Sequence, residues 1–287
     1  MTKRGDEMNR RSKNVKTKIA RVIVYAILIA VVISIIYPFI FMILNSFKTK
    51  SEYYTNIFGL PREFNLQNYK IALERFDVLR LGLHSLIVTV CSLLINVTVC
   101  SMAAYAFAKL KYRFYNKVLG TIIACMMIPG QVLMIPVYMI MSNLGLINNF
   151  ASAILFNVAM AIPFGTYMLT TQCQNIPDEI LDAAEIDGST VPKTFVSIIL
   201  PLMKPAVMTL VILNFLQFWN ELLYSMLFLQ DNKTRTLTVE IATSVGKYSS
   251  NMPLMITGLL LNCLPTILIF IFFQKYISKG LMVGAVK

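Results

Sequence analysis

The chain has 287 residues, of which 57% are hydrophobic and only 14% charged, with a formal net charge of +12. Soluble domains average about 25% charged residues, and so much apolar surface has no place on a water-facing exterior. An ordinary soluble enzyme, a secreted disulfide scaffold and a disordered chain are excluded, and a polytopic membrane protein remains.

Six apolar segments follow in chain order: residues 22–44, 84–108, 118–141, 151–171, 206–229 and 253–273. A span needs about 20 apolar residues, and backbone groups in lipid must pair within their own segment, so each is expected to be a helix. Pro38, Pro129, Pro136, Pro163 and Pro265 fall inside these segments. They fit kinked helices around a pathway, and equally the ordinary use of proline in membrane helices.

Residues 1–21 form a basic tail with eight Lys or Arg. The first apolar run is too long for a signal-peptide core and has no small-residue cleavage site, so it is expected to stay as a span. Lys109, Lys111, Arg113 and Lys117 mark a second basic loop, and Lys275, Lys279 and Lys287 a basic end. This bias puts both termini in the cytoplasm, with outer loops at 45–83, 142–150 and 230–252. The charge goes with membrane orientation and lipid rather than nucleic acid. Residues 22–287 are expected to form one transmembrane domain. Cys91, Cys100, Cys125, Cys173 and Cys263 lie in or beside apolar segments without a C-x-x-C pair, and fit small reduced hydrophobes.

One cytoplasmic loop, residues 174–205, breaks the pattern. It contains Ile176-Pro-Asp-Glu-Ile-Leu-Asp-Ala-Ala-Glu-Ile-Asp-Gly188. Pro177 suits a first helical position, and Asp178 and Glu179 suit the positive end of a helix. Gly188 can adopt the left-handed conformation that stops one. A helix of about 11 residues, roughly 16 Å long, is expected, with Asp178, Asp182 and Glu185 on one face. Ser189 or Thr190 would cap the next turn. By itself this pattern fits a solvated connector as well as a contact helix.

Asn214, Gln217 and Glu221 of the fifth segment share a helical face, beside Phe218, Trp219 and Asn220. Polar groups in a membrane face a cavity or a partner. A solute pathway, with Phe218 or Trp219 stacking on the solute, and plain helix–helix hydrogen bonding are both open. Asn96, Asn157 and Asn262 fit interhelical bonding. His84 is the single histidine, so no metal cluster is expected. No Gly-rich phosphate loop is found: Gly188-Ser-Thr-Val-Pro-Lys193-Thr194 lacks the second glycine. A chain without that cradle is not expected to bind ATP alone, and no nucleophile–base pair suggests an enzyme.

The run Asp182-Ala-Ala-Glu-Ile-Asp-Gly188, eleven residues before Ile199-Leu-Pro201, resembles the EAA loop of binding-protein-dependent ABC importer permeases, with Asp182 where the motif has Glu. Phe218-Trp-Asn-Glu221, Phe272-Phe-Gln-Lys-Tyr276, Lys279-Gly280 and Gly284-Ala-Val-Lys287 are similar to the carbohydrate-uptake subgroup, in particular its smaller, maltose-transporter-type permeases. The resemblance implies a type I importer fold of six transmembrane helices in a bacterial cell membrane. It also implies a second, homologous permease as heterodimer partner, two cytoplasmic ATPase subunits that bind ATP and Mg, and an extracytoplasmic sugar-binding protein. Carried over, Asp182, Ala183, Ala184, Glu185, Asp187 and Gly188 form the coupling helix, and Leu200 and Pro201 anchor it to the fifth span. The tyrosines Tyr53, Tyr54, Tyr69 and Tyr248 of the outer loops would meet the binding protein. The alternatives are an importer of another polar solute and an ATP-independent secondary transporter. The latter would be expected to show inverted repeats or midplane ionisable pairs, and neither is found.

Overall fold

A computed structural model describes residues 3–110, 114–248 and 251–282, and among them every regular element is helical. Lys111, Arg113 and the Gly284–Lys287 motif lie outside the described residues. In order the helices are α1 (Lys3–Ser46), α2 (Lys50–Thr55), α3 (Gln67–Arg75), α4 (Val78–Lys109), α5 (Tyr115–Ala124), α6 (Met134–Asn143) and α7 (Phe150–Gln174). The second half holds α8 (Glu179–Ile186), α9 (Val191–Thr194), α10 (Leu200–Leu202), α11 (Lys204–Trp219), α12 (Leu223–Phe228), α13 (Leu237–Tyr248) and α14 (Met252–Met282).

Arg21–Ser46 of α1, all of α4 and α7, and Met252–Lys275 of α14 are long and apolar enough to cross a membrane. Two further apolar helix pairs are bent. Tyr115–Met127 meets Gly130–Asn143 at 89°, and Val191–Leu202 meets Lys204–Trp219 at 75°. The first bend falls at Ile128 and Pro129, both extended. The second falls at Met203, between Pro201 and Pro205, where Pro205 has no N–H to continue the helical ladder.

Residues 118–141 are therefore not one straight helix, while the 75° bend falls before residues 206–229. The fifth apolar run is helical only to Trp219. Beyond Asn220 the Glu221 carboxylate accepts from the backbone N–H groups of Tyr224 and Ser225 at 2.9 and 2.7 Å, and from the Ser225 hydroxyl at 2.6 Å. That carboxylate starts α12 as an N-terminal cap.

The chain divides into two compact units, residues 1–71 with 250–260 and residues 72–249 with 261–287. In the first, the Asn68 amide donates to the carbonyls of Ser46 and Lys48, both at 2.8 Å. The fully buried Lys48 ammonium donates to the carbonyls of Asn56 at 2.6 Å and Ile57 at 3.1 Å. Burial pushes its pKa below the usual lysine value, with the Glu52 carboxylate opposing.

In the second unit α4 runs along α7, and α11 packs on both. One core cluster joins Cys100, Ala104 and Tyr105 of α4 to Leu169 and Cys173 of α7, and to Ile199, Met203, Ala206 and Leu210. Another joins Val88, Met141, Ala153 and Phe156 to Tyr224, Phe228 and Leu229. Small residues let these backbones approach closely, as lipid-embedded helices require.

Candidate functional site

The acidic segment folds as α8, eight residues long. It is shorter than the expected 11, because Pro177 and Asp178 precede the helix and Asp187 closes it. Gly188 has φ 71°, the left-handed stop expected of it. Its N–H donates to Glu185 O, and the Ser189 N–H donates to Ala184 O, each at 2.9 Å. This pair of bonds is a Schellman closure, which satisfies carbonyls that the helix end would leave open.

Thr190 stands at the start of α9 in an extended conformation, but no hydroxyl caps that turn. Instead Thr194 Oγ1 donates to Ser189 Oγ at 3.0 Å.

Ala184 is buried, while Asp182, Ala183, Glu185, Asp187 and Gly188 face outward. Leu181 and Ile176 pack on the core below. Asp178, Asp182 and Glu185 line one hollow of about 390 Å³, together with Lys109, Tyr105 and Thr194. Leu200 is half-buried and Pro201 exposed, just before the 75° bend. These two residues thus sit where the loop turns into the next helix.

Two residues stand out that the motif did not flag. Ile186 is 86% exposed, an apolar knob among carboxylates. Its only sequence signal is an isoleucine outside the apolar stripe of Ile176 and Ile180. Lys109 ends α4 with a side chain only 4% exposed. Its ammonium donates to the Ile176 carbonyl, and to Asp178 Oδ1 at 2.7 Å. It therefore ties the end of α4 to the entry of α8, a contact 69 residues away in sequence.

Lys109→Met should lower the thermal midpoint of the purified protein, because the half-buried Ile176 carbonyl loses its donor, a loss of about 1 kcal/mol or more. Asp178→Asn should change it little, since Asp178 is half-exposed and such pairs contribute about 0–1 kcal/mol. Equal midpoints for Lys109→Met and wild type would remove Lys109 from this role.

The polar residues of the fifth segment are divided by the structure. Asn214 is buried and its amide donates to Asn96 Oδ1 at 2.8 Å, so it bonds α11 to α4. Phe218 is buried, as is Trp219, whose indole donates to Asn262 O at 3.0 Å. Glu221 caps α12. Gln217 and Asn220 are exposed, the latter donating to Leu216 O at 2.8 Å. These two amides are the exposed members of the set. The side chains of Asn96 and Asn262 make interhelical bonds as well, Asn262 Oδ1 accepting from Thr238 Oγ1 at 3.3 Å.

Residues 96–283 match the family described as binding-protein-dependent transport system inner membrane components. The melibiose/raffinose/stachyose import permease protein MelC of Bacillus subtilis is 32% identical over 251 residues, covering 87% of this chain and 91% of its own. The arabinooligosaccharides transport system permease protein AraQ of Halalkalibacterium halodurans is 31% identical over 265 residues, covering 88% and 91%. A chain from a bacterial ABC transporter involved in the import of the acidic polysaccharide alginate shares the fold, with a TM-score of 0.74 at 22% identity over 91% of this chain and 97% of that one.

The bent, mostly long helices and the acidic loop are thus those of an ABC importer permease. The chain belongs to the binding-protein-dependent transport system inner membrane components. It is a multi-pass subunit of the inner membrane, and the EAA-like segment lies inside the matched region.

Proposed function

We propose that this chain is one of two permeases of an ATP-driven importer for a carbohydrate, an oligosaccharide in the first instance. The observation that carries the coupling role is α8 itself. It is a short helix on a buried Ala184, closed by left-handed Gly188, that turns Asp182, Ala183, Glu185 and Asp187 outward. Such a face suits contact with another protein, and the resemblance names an ATPase. Lys109 on one side and Leu200–Pro201 on the other would transmit its displacement to α4 and α11. Two partner ATPase subunits would bind ATP and Mg and supply the driving reaction. A homologous second permease would complete the pathway, and an extracytoplasmic binding protein would deliver the sugar. The oligosaccharide assignment is supported by the substrates in the names of MelC and AraQ.

Purification in mild detergent through a tag on this chain, with mass spectrometry of what accompanies it, tests the proposal. A second permease and an ATPase are the expected companions. Uptake of labelled oligosaccharide by inside-out-free membrane vesicles should then require ATP inside. A well-assembled chain recovered alone, with ATP-independent uptake, would overturn the reading.

Gln217 and Asn220 are proposed to face the pathway, as their amides suit sugar hydroxyls. Gln217→Leu should alter uptake kinetics without changing thermal stability. Asn214→Leu should lower stability first, because Asn96 Oδ1 loses its donor at a cost of about 1–3 kcal/mol. Unchanged kinetics in Gln217→Leu would remove it from the pathway.

A further inference from the structure

Residues 50–66, past the end of α1, form a small preorganised fold within the first unit. The Lys48 ammonium holds the carbonyls of Asn56 and Ile57. The Asn56 side chain accepts from the Gly59 N–H at 3.0 Å and donates to Leu60 O at 3.1 Å. A Cβ on Gly59 would stand 2.1 Å from Asn56 Oδ1, so a larger residue would displace this side chain from its bonds. The turn so fixed carries apolar side chains outward. Phe58 is 80% exposed, Leu60 72%, Phe64 71% and Leu66 63%. A concentration of that kind marks an interaction surface.

Where the turn points identifies the partner. The Phe58 ring lies 6.1 Å from that of Phe41, and the Phe64 ring 5.4 Å from that of Phe47. Phe41 lies five residues inside the end of α1 at Ser46, about 7.5 Å along the helix axis. The turn therefore folds back along the span and does not project away from it. The most apolar window of α1 buries none of its residues within the chain, so the exposed turn continues an apolar surface already at membrane depth. Tyr53 and Tyr54, paired edge to face at 5.3 Å, belong to the residue type that gathers at headgroup level. Exposed Lys50 and Arg62 stand in the same segment beside exposed Glu63, so the lipid contact rests on its apolar and tyrosine side chains and not on net charge.

We propose that residues 50–66 are an interfacial membrane anchor. Phe58, Leu60, Phe64 and Leu66 enter the boundary between headgroups and acyl chains, in the leaflet at the Ser46 end of α1. The occupant of this surface is phospholipid. Interfacial segments insert about 5–10 Å, the depth that the Phe58–Phe41 contact sets. The anchor holds the end of α1 in register with the bilayer, and it does not depend on which solute is carried.

The test is photocrosslinking in the assembled transporter in its own membrane. Phe58→p-benzoylphenylalanine is irradiated, and the peptide bearing residue 58 is analysed by mass spectrometry. Phospholipid adducts should dominate. Crosslinks chiefly to the second permease or to the binding protein would overturn the proposal, and so would the absence of lipid adducts. If the Phe58 variant fails to accumulate, Leu60→p-benzoylphenylalanine puts the same question from a second exposed position of the turn.

Discussion

Replacing Gly188 by valine should leave the permease inserted and assembled but reduce coupled uptake about tenfold or more, since each 1.4 kcal/mol of misfit is a factor of ten. No atom lies within 4 Å of a Cβ added at this position, so nothing nearby opposes the side chain. The penalty comes from φ 71°. The left-handed region costs an ordinary L-residue roughly 1–2 kcal/mol, and a β-branched residue there is a genuine outlier. The chain would relieve that strain by opening the closure at Gly188 and Ser189. The last turn of α8 then frays, and Glu185, Ile186 and Asp187 lose their fixed direction. Gly188→Asn is the informative control, because asparagine tolerates the same conformation, and most uptake should survive. The measurements are labelled-sugar uptake and ATP hydrolysis in the same vesicles, with immunoblots for the partner subunits. Full uptake by the valine variant would end the coupling role. Equal failure of valine and asparagine would point to a partner surface pressed against Gly188, not to backbone strain.

Gly188 was legible because a helix stop is local: a glycine after a periodic segment answers to backbone sterics alone. The long apolar runs of α1, α4, α7 and α14 were legible for a similar reason, since hydrocarbon selects length and composition without regard to neighbours. The bends were not. Of the prolines inside the apolar runs, Pro129 stands at a bend, but Pro38, Pro163 and Pro265 stand inside continuous helices, and Pro205 at the second bend lies just outside its run. Whether a proline bends a span or breaks it is decided by what covers the freed carbonyl. The fifth run also hid its end. Hydropathy continues past Trp219, and only the position of the Glu221 carboxylate over the N–H groups of Tyr224 and Ser225 shows that a new helix begins. The polar stripe of Asn214, Gln217 and Glu221 followed helical spacing correctly as far as α11 lasts. Its chemistry still depended on Asn96, 118 residues away. Lys109 counted in the sequence only as a topology charge, and its bond to Asp178 is equally non-local.

Gly165→Ala should destabilise the α4–α7 packing, and Cys100→Ala should rescue it. Gly165 lies in α7 opposite Cys100. A Cβ built on it stands 2.7 Å from Cys100 Sγ, closer than such contacts allow, and 3.3 Å from Leu210 Cδ2. Two effects oppose each other. Alanine improves helix propensity by about 1 kcal/mol relative to glycine. Overpacking a close-packed core costs about 1–3 kcal/mol. The clash should prevail, because Cys100 is itself held: its thiol donates to Ile162 O and accepts from Thr166 Oγ1, each at 3.7 Å. Sliding α4 away would also open the cluster of Leu169, Cys173 and Leu210. Cys100→Ala alone forfeits two weak sulfur bonds and leaves a small void. In the double variant the 2.7 Å contact is gone, and the remaining ones, at 3.3 and 3.4 Å, need shifts of only a few tenths of an ångström. Thermal midpoints of the four proteins form a double-mutant cycle. The expected result is a Gly165→Ala midpoint below wild type, and a double variant above the sum of the single changes. Simple additivity would mean that α4 and α7 yield at this crossing, and that the close approach of Gly165 to Cys100 does not set their packing.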